Sequence, residues 1–364
     1  MSASRGLVVL LLLLSAVPFA WADAVWTGDM NTKWSEPSNW LGGAMPLGGE
    51  IATLTGAPTA NQPDVNLWAT VGTLNFESAG WTVTSAGGYG LSFNTVNAIT
   101  SAGAGVNTVD VALSDSYVQG MTFQAGTDNT LVITRDFTQR RDYGTAGDGT
   151  IIFQGTGSSN QTWLLNAGTT LFNHPTQQNF DSGTTVAAGS TLGGAAPAFQ
   201  ISAYGTIALA DGASLSPGGD GVYGDLISAL RIKSASATTR AYADMGGTAS
   251  SLVMDLGSTL GSNDQIIVDL SASNGYFYLR GCELALRGGA VLADGDYTIL
   301  TEATGNYSGT FGTVTYNGAP VDPSQFQVTY NPDSVVVSVT GVPEPATAGL
   351  IALGALALAA RRRR

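Results

Sequence analysis

Charge is scarce in this chain. Its 364 residues include 14 Lys plus Arg and 27 Asp plus Glu, 11% in all, and lysine occurs only at Lys33 and Lys233. Phosphate binding requires clustered Lys or Arg, so a formal net charge of −13 argues against nucleic acid as a partner. Cys282 is the sole cysteine, which excludes an intramolecular disulfide and leaves the thiol to be read as a small buried hydrophobe. His174 is the sole histidine, so a His-rich metal site is excluded and any Ser-His-Asp triad must use this one residue. It lies in Asn173-His174-Pro175, which reads as a turn. Long polar helix formers are also few, whereas glycine, costly inside helices, occurs 48 times. The composition therefore predicts β structure with many turns.

Continuous apolar runs mark the two ends. Arg5 precedes the run Leu7 to Leu14, and the small-x-small sites Ala20-Trp21-Ala22 and Ala22-Asp23-Ala24 follow, so residues 1–24 read as a secretory signal peptide. Cleavage is expected after Ala24 or, as second choice, after Ala22. At the other end, Val342-Pro343-Glu344-Pro345 is followed by an apolar run over 346–360 and then by Arg361, Arg362, Arg363 and Arg364. That run is shorter than the roughly 20 residues of a comfortable span, although flanking arginines snorkel and a bilayer can thin. The basic cluster favours a cytoplasmic C-terminus.

Motif, span and basic cluster in this order resemble the PEP-CTERM sorting signal over residues 342–364. The resemblance implies recognition by an exosortase-type processing enzyme, transient residence of the tail in the inner membrane, and removal of that tail. Release or attachment at the surface of a Gram-negative cell follows, often within an exopolysaccharide matrix. An unprocessed membrane anchor is the plainer alternative and also leaves the body outside the cytoplasm. Processing at both ends leaves 9 basic and 25 acidic residues, a net charge of −16 that keeps the body soluble and repels anionic polymers.

Between the ends a repeat is visible in Gly168-Thr169-Thr170-Leu171, Gly189-Ser190-Thr191-Leu192, Gly212-Ala213-Ser214-Leu215 and Gly257-Ser258-Thr259-Leu260, with Gly281-Cys282-Glu283-Leu284 as a weaker copy. The intervals of 21, 23, 45 and 24 residues predict a period near 22, with a degenerate copy around Ser234. One coil of a β-solenoid has this length, and stacking would place Leu171, Leu192, Leu215 and Leu260 in or beside one interior column. Strands are expected over Thr130 to Thr134, Thr150 to Phe153, Gly205 to Leu209, Leu252 to Leu256 and Ile266 to Leu270. About 10 coils between residues 70 and 300 would give a rod on the order of 50 Å long.

From 205 to 339 the chain also resembles the β-strand repeats of autotransporter passengers. The matching pieces are Leu215-Ser216-Pro217-Gly218, Asn263-Asp264-Gln265-Ile266-Ile267-Val268, and Gly295-Asp296-Tyr297-Thr298-Ile299-Leu300 with Ser308-Gly309-Thr310-Phe311. The resemblance implies a right-handed parallel β-helix. Trp26, Trp34, Trp40, Trp68 and Trp81 all precede residue 82, so residues 25–81 read as an aromatic cap over the first coils of a solenoid spanning 82–341. Aromatic platforms for sugar rings are the alternative reading of these tryptophans.

Candidate chemistry in the body is sparse, and no catalytic, cofactor-binding or metal residue is assigned. Asp136, Asp142 and Asp148, with Arg135, Arg140 and Arg141 among them, form the densest charged segment and read as a solvated loop interrupting the β pattern. The sharper alternative is a carboxyl pair of the kind a glycosidase places across a cleft. Gly218-Gly219-Asp220-Gly221-Val222-Tyr223 begins like a calcium-binding nonapeptide repeat, but Tyr223 takes the aspartate position and no second copy stacks beside it, so it reads as a turn. The expectation is an all-β exported structural or adhesive protein with no cofactor, the alternative being a secreted carbohydrate-active enzyme on a β-helix.

Overall fold

The structure, a computed structural model, describes residues 23–115, 120–139, 141–155, 157–159, 162–166, 168–174, 177–180, 182–194, 198–201, 205–218, 229–234, 242–270, 275–288, 292–302 and 307–342. Alternation governs these segments. In Thr73–Phe76, Thr206–Leu209 and Gln265–Asp269, buried residues alternate with half-buried ones, the period of a strand with one face on a core. Short of the C-terminal end, each strand pairs in parallel with the equivalent strand one coil away, producing a three-faced parallel β-helix.

The first face is a 12-stranded sheet running from Ala24–Val25 through Ile51–Leu54, Thr73–Phe76 and Met121–Ala125 to Tyr242–Asp244, Tyr276–Tyr278 and Tyr307–Ser308. The second face is an 11-stranded sheet from Thr82–Thr84 to Thr313–Tyr316 and the short Ala319–Pro320. The third is split into a five-stranded sheet ending at Gly157–Ser159 and a seven-stranded one beginning at Gln177–Phe180. Eleven steps of about 4.8 Å across the first face give a rod of about 53 Å. At its C-terminal end the parallel pattern stops: Phe326–Asn331 and Ser334–Val339 form an antiparallel hairpin whose second strand pairs with Gly295–Glu302.

In-register pairing stacks each inward residue on its counterpart. One column runs Leu131, Ile151, Thr170, Leu192, Leu215, Leu252, Leu284 and Val314. This differs from the alignment of the tetrapeptides. Thr170, not Leu171, pairs with Leu192, so Leu171 points outward and joins Val132 and Ile152 in a separate buried cluster. Leu260 lies in a turn beyond Ser251–Leu256 and is 51% exposed, and the column position of that coil belongs to Leu252. Ser234 ends Ala229–Ser234 on the third face, so no degenerate copy of the column lies there. Coil length is not constant: from Ile151 to Thr170 it is 19 residues and from Leu215 to Leu252 it is 37.

Large aromatics fill the middle of the rod. Phe123, Phe137, Tyr143, Phe153, Trp163, Phe172, Phe180 and Phe199 form a continuous series of offset and edge-on pairs, with Tyr143 and Trp163 4.4 Å apart and Phe180 and Phe199 5.3 Å apart. Near the N-terminal end Trp26, Trp34 and Trp40 are buried against one another at 4.7 and 5.0 Å, and the Trp40 indole N–H donates to the Trp34 carbonyl. Trp81 is buried as well, whereas Trp68 is 65% exposed and takes no part in that packing. Corners need tight backbone: Gly147 has φ +85°, and a Cβ there would run into the Ala125 carbonyl of the coil below.

Candidate functional site

The predicted sorting segment begins at the last of the described residues. Thr340 donates its N–H to the Gln325 carbonyl, Gly341 donates to Asp294 at 2.8 Å, and Val342 packs against the core. Pro343, Glu344, Pro345, the apolar run 346–360 and Arg361 to Arg364 lie outside the described residues, as do signal residues 1–22. Among the described residues no helix is long and apolar enough to cross a membrane.

The charged segment 135–148 is not a loop laid over the rod. It contains Phe137–Gln139 and Tyr143–Ala146, whose Phe137 and Tyr143 are buried in the aromatic core, so it is a regular coil. Asp136, Asp142 and Asp148 occupy the three successive corners between its strands, which turns them towards different edges of the rod. Asp142 accepts the Thr162 N–H, and Arg135 pairs with Asp110 of the preceding coil at 2.6 Å. The arrangement does not bring Asp136 and Asp142 together across a cleft. Instead, Asp148 joins Asp128 of the coil below in a corner cavity of about 350 Å³.

His174 is buried at the corner after Thr169–Phe172. Cys282 is fully buried in the core, and desolvation pushes its thiol up to about 12, so it is inert at neutral pH. Gly218 has φ +83° in a turn, and the rest of the calcium-like stretch lies outside the described residues.

A second cavity, of about 300 Å³, opens on the outer side of the first face and is lined by Thr206, Tyr242, Asp244, Tyr278 and Arg280. Three coils supply it. Inward Ile207, Ala243 and Phe277 stack in the core, which forces Tyr242, Asp244, Tyr276 and Tyr278 outward by strand alternation. The Tyr278 ring lies 6.0 Å from that of Tyr242 and 5.6 Å from that of Tyr276, with planes within 20–23°. Arg280 holds Asp244 through Nε at 3.2 Å and Nη2 at 3.0 Å, and its guanidinium sits 4.7 Å from the centre of the Tyr278 ring. The hydrogen bond to Asp244 raises the pKa of Arg280 further, so its guanidinium stays charged.

Arg280 takes φ +53°, a left-handed conformation unusual for a long side chain, directly before Gly281 at φ +74°. The cluster carries no sequence motif, although the alternation Tyr276-Phe277-Tyr278-Leu279-Arg280 reads as two tyrosines and an arginine on one outward face. That Tyr242 and Asp244 join them, 36 residues from Arg280 in the case of Asp244, is set by coil pairing.

Such a molecule, a rod of stacked parallel coils, belongs to the class of parallel β-helix proteins. Residues 341–364 match the PEP-CTERM protein-sorting motif. That match supports export through an exosortase-type system and sorting to the cell surface of Gram-negative bacteria. No family match confirms the resemblance of 205–339 to autotransporter passengers. A comparison of the chain with curated proteins gave no match.

Proposed function

We propose that this chain is a non-enzymatic structural or adhesive protein of the cell surface, processed by an exosortase-type enzyme and held among exopolysaccharide. The observation that carries the reading is the sorting motif directly following the β-helix in the sequence. A rod about 53 Å long with one continuous core is suited to spacing and presenting surfaces, because each coil is supported by its neighbours. The test is fractionation of the native host. Wild-type protein should reach the surface or matrix fraction without Arg361 to Arg364, and replacing Pro343 and Pro345 by alanine should retain it in the membrane fraction. Recovery of the intact C-terminal peptide from surface material would refute tail removal.

One observation favours a carbohydrate-active enzyme as second reading: the corner cavity carries the carboxylates of Asp128 and Asp148. Under that reading, a polysaccharide panel would yield new reducing or unsaturated ends, and Asp128→Asn would abolish them. Absence of turnover across the panel would favour the structural reading.

A further inference from the structure

The tyrosine cluster on the first face serves neither the core nor the sorting tail. Its rings are offset past one another instead of packed into the interior, and Tyr276 is 41% exposed. A bidentate Arg280–Asp244 pair lies against the central ring, with the Arg280 backbone held in a left-handed conformation. Backbone outliers of this kind are retained where the surroundings over-determine them, and they concentrate at ligand sites.

From this geometry we infer that Tyr242, Tyr276, Tyr278, Asp244 and Arg280 form a binding subsite for a neutral pyranose chain. A pyranose ring has a face of C–H groups that packs on the electron-rich face of an aromatic ring, while its equatorial hydroxyls project from the rim. The tyrosine rings supply such faces. Asp244 supplies carboxylate acceptors beside them and Arg280 supplies donors, a combination suited to adjacent hydroxyls. At about 300 Å³ the cavity is at the small end of ligand sites, and being open on a flat sheet it suits one or two residues of a passing polymer.

Other occupants fit the chemistry less well. A quaternary ammonium requires rings arranged as a cage, whereas these lie within 23° of parallel and have a guanidinium beside them. Anionic polymers and nucleic acid meet a wall whose arginine is already paired to a carboxylate, on a chain with a net charge of −13. The inference deepens the surface-matrix reading and rests on it for its biological setting.

The test is native affinity electrophoresis of the full chain in detergent, in gels containing hydroxyethylcellulose, galactomannan, dextran or alginate. At least one neutral polymer should retard the wild type. Tyr242→Ala and Tyr276→Ala should each weaken retardation about tenfold or more, the scale of one lost aromatic stack. Tyr242→Phe, which keeps the ring, should remain within about twofold. Leu164→Ala, which alters an exposed side chain elsewhere on the same face, should change nothing. Arg280→Ala removes a half-exposed side chain and should also weaken binding, which keeps the test decisive if a tyrosine variant fails to fold.

Failure of every neutral polymer to retard the wild type would overturn the inference, as would equal retardation of the alanine variants or stronger retardation by alginate. A change in oligomeric state by light scattering with unchanged retardation would make the cluster a self-interface and overturn it too. Matrix association that survives Tyr242→Ala in cells would sink this subsite and leave the surface reading standing. Loss of surface sorting would do the reverse, because binding is measured on purified protein.

Discussion

Replacing Leu215 by alanine tests the stacking of the coils directly. Leu215 is 1% exposed and stands between Leu192 and Leu252, its partners in the coils before and after. The change removes three carbons, about 2.4 kcal/mol of transfer free energy at ~0.8 kcal/mol each. The cavity left between two fixed coils adds to this, so the expected cost is about 3 to 5 kcal/mol. Hydrogen exchange should show lost protection first in Ser214–Pro217 and in the paired strands Thr191–Gly194 and Ser251–Leu256, ahead of the rest of the rod. Leu260→Ala, at a position 51% exposed, should cost less than about 0.5 kcal/mol. Thr170 stands in the same column, buried and donating to the Thr145 hydroxyl at 3.1 Å, so Thr170→Ala should also loosen its coil. If Leu260→Ala loosened the protein as much as Leu215→Ala, the register described here would be wrong.

Asp110 is held below the usual carboxylate range chiefly by its hydrogen bond from Arg135, with Thr134 also donating. A depressed folded pKa gives stability that is present above the unfolded value near 3.8 and lost as pH falls through the lower folded value. Asp110→Asn should therefore cost up to about 1 kcal/mol in urea unfolding at pH 7, as for other exposed pairs, and converge with the wild type in acid. A difference that persisted unchanged below pH 3 would refute that assignment. Cys282 should resist iodoacetamide in the folded protein at pH 8 and react fully in denaturant, since it is buried and its thiol is pushed up to about 12. Rapid native labelling would show that its coil opens.

Much of the architecture was legible because it is written in local chemistry. Abundant glycine, few charged residues and alternation such as that of Thr206–Leu209 specify short strands and corners, and spacing near 22 residues suggested stacked coils. What misled the reading was phase. Gly168-Thr169-Thr170-Leu171 looks like the later tetrapeptides but pairs one residue out of step with them, and a strand slipped by one residue turns every side chain to the other face. The 37-residue coil from Leu215 to Leu252 likewise disguised the true column, and Leu260 took the place of Leu252 in the alignment.

The aromatic series from Phe123 to Phe199 had no linear signal because its members are spread at uneven intervals over all three faces of successive coils. The candidate site was partly readable in the same way. Tyr276, Tyr278 and Arg280 share an outward face through simple alternation, but Tyr242 and Asp244 meet them only through coil pairing.

By itself the sequence determined the β class, the solenoid principle and the sorting motif, since composition, strand period and a contiguous tail need no distant partner. The tertiary structure alone decided which residues face inward, that Asp136, Asp142 and Asp148 occupy different corners, and that three tyrosines meet an arginine–aspartate pair. Each of those outcomes depends on the length and register of whole coils, and a pairing between residues 19 to 37 positions apart leaves no trace in either residue alone.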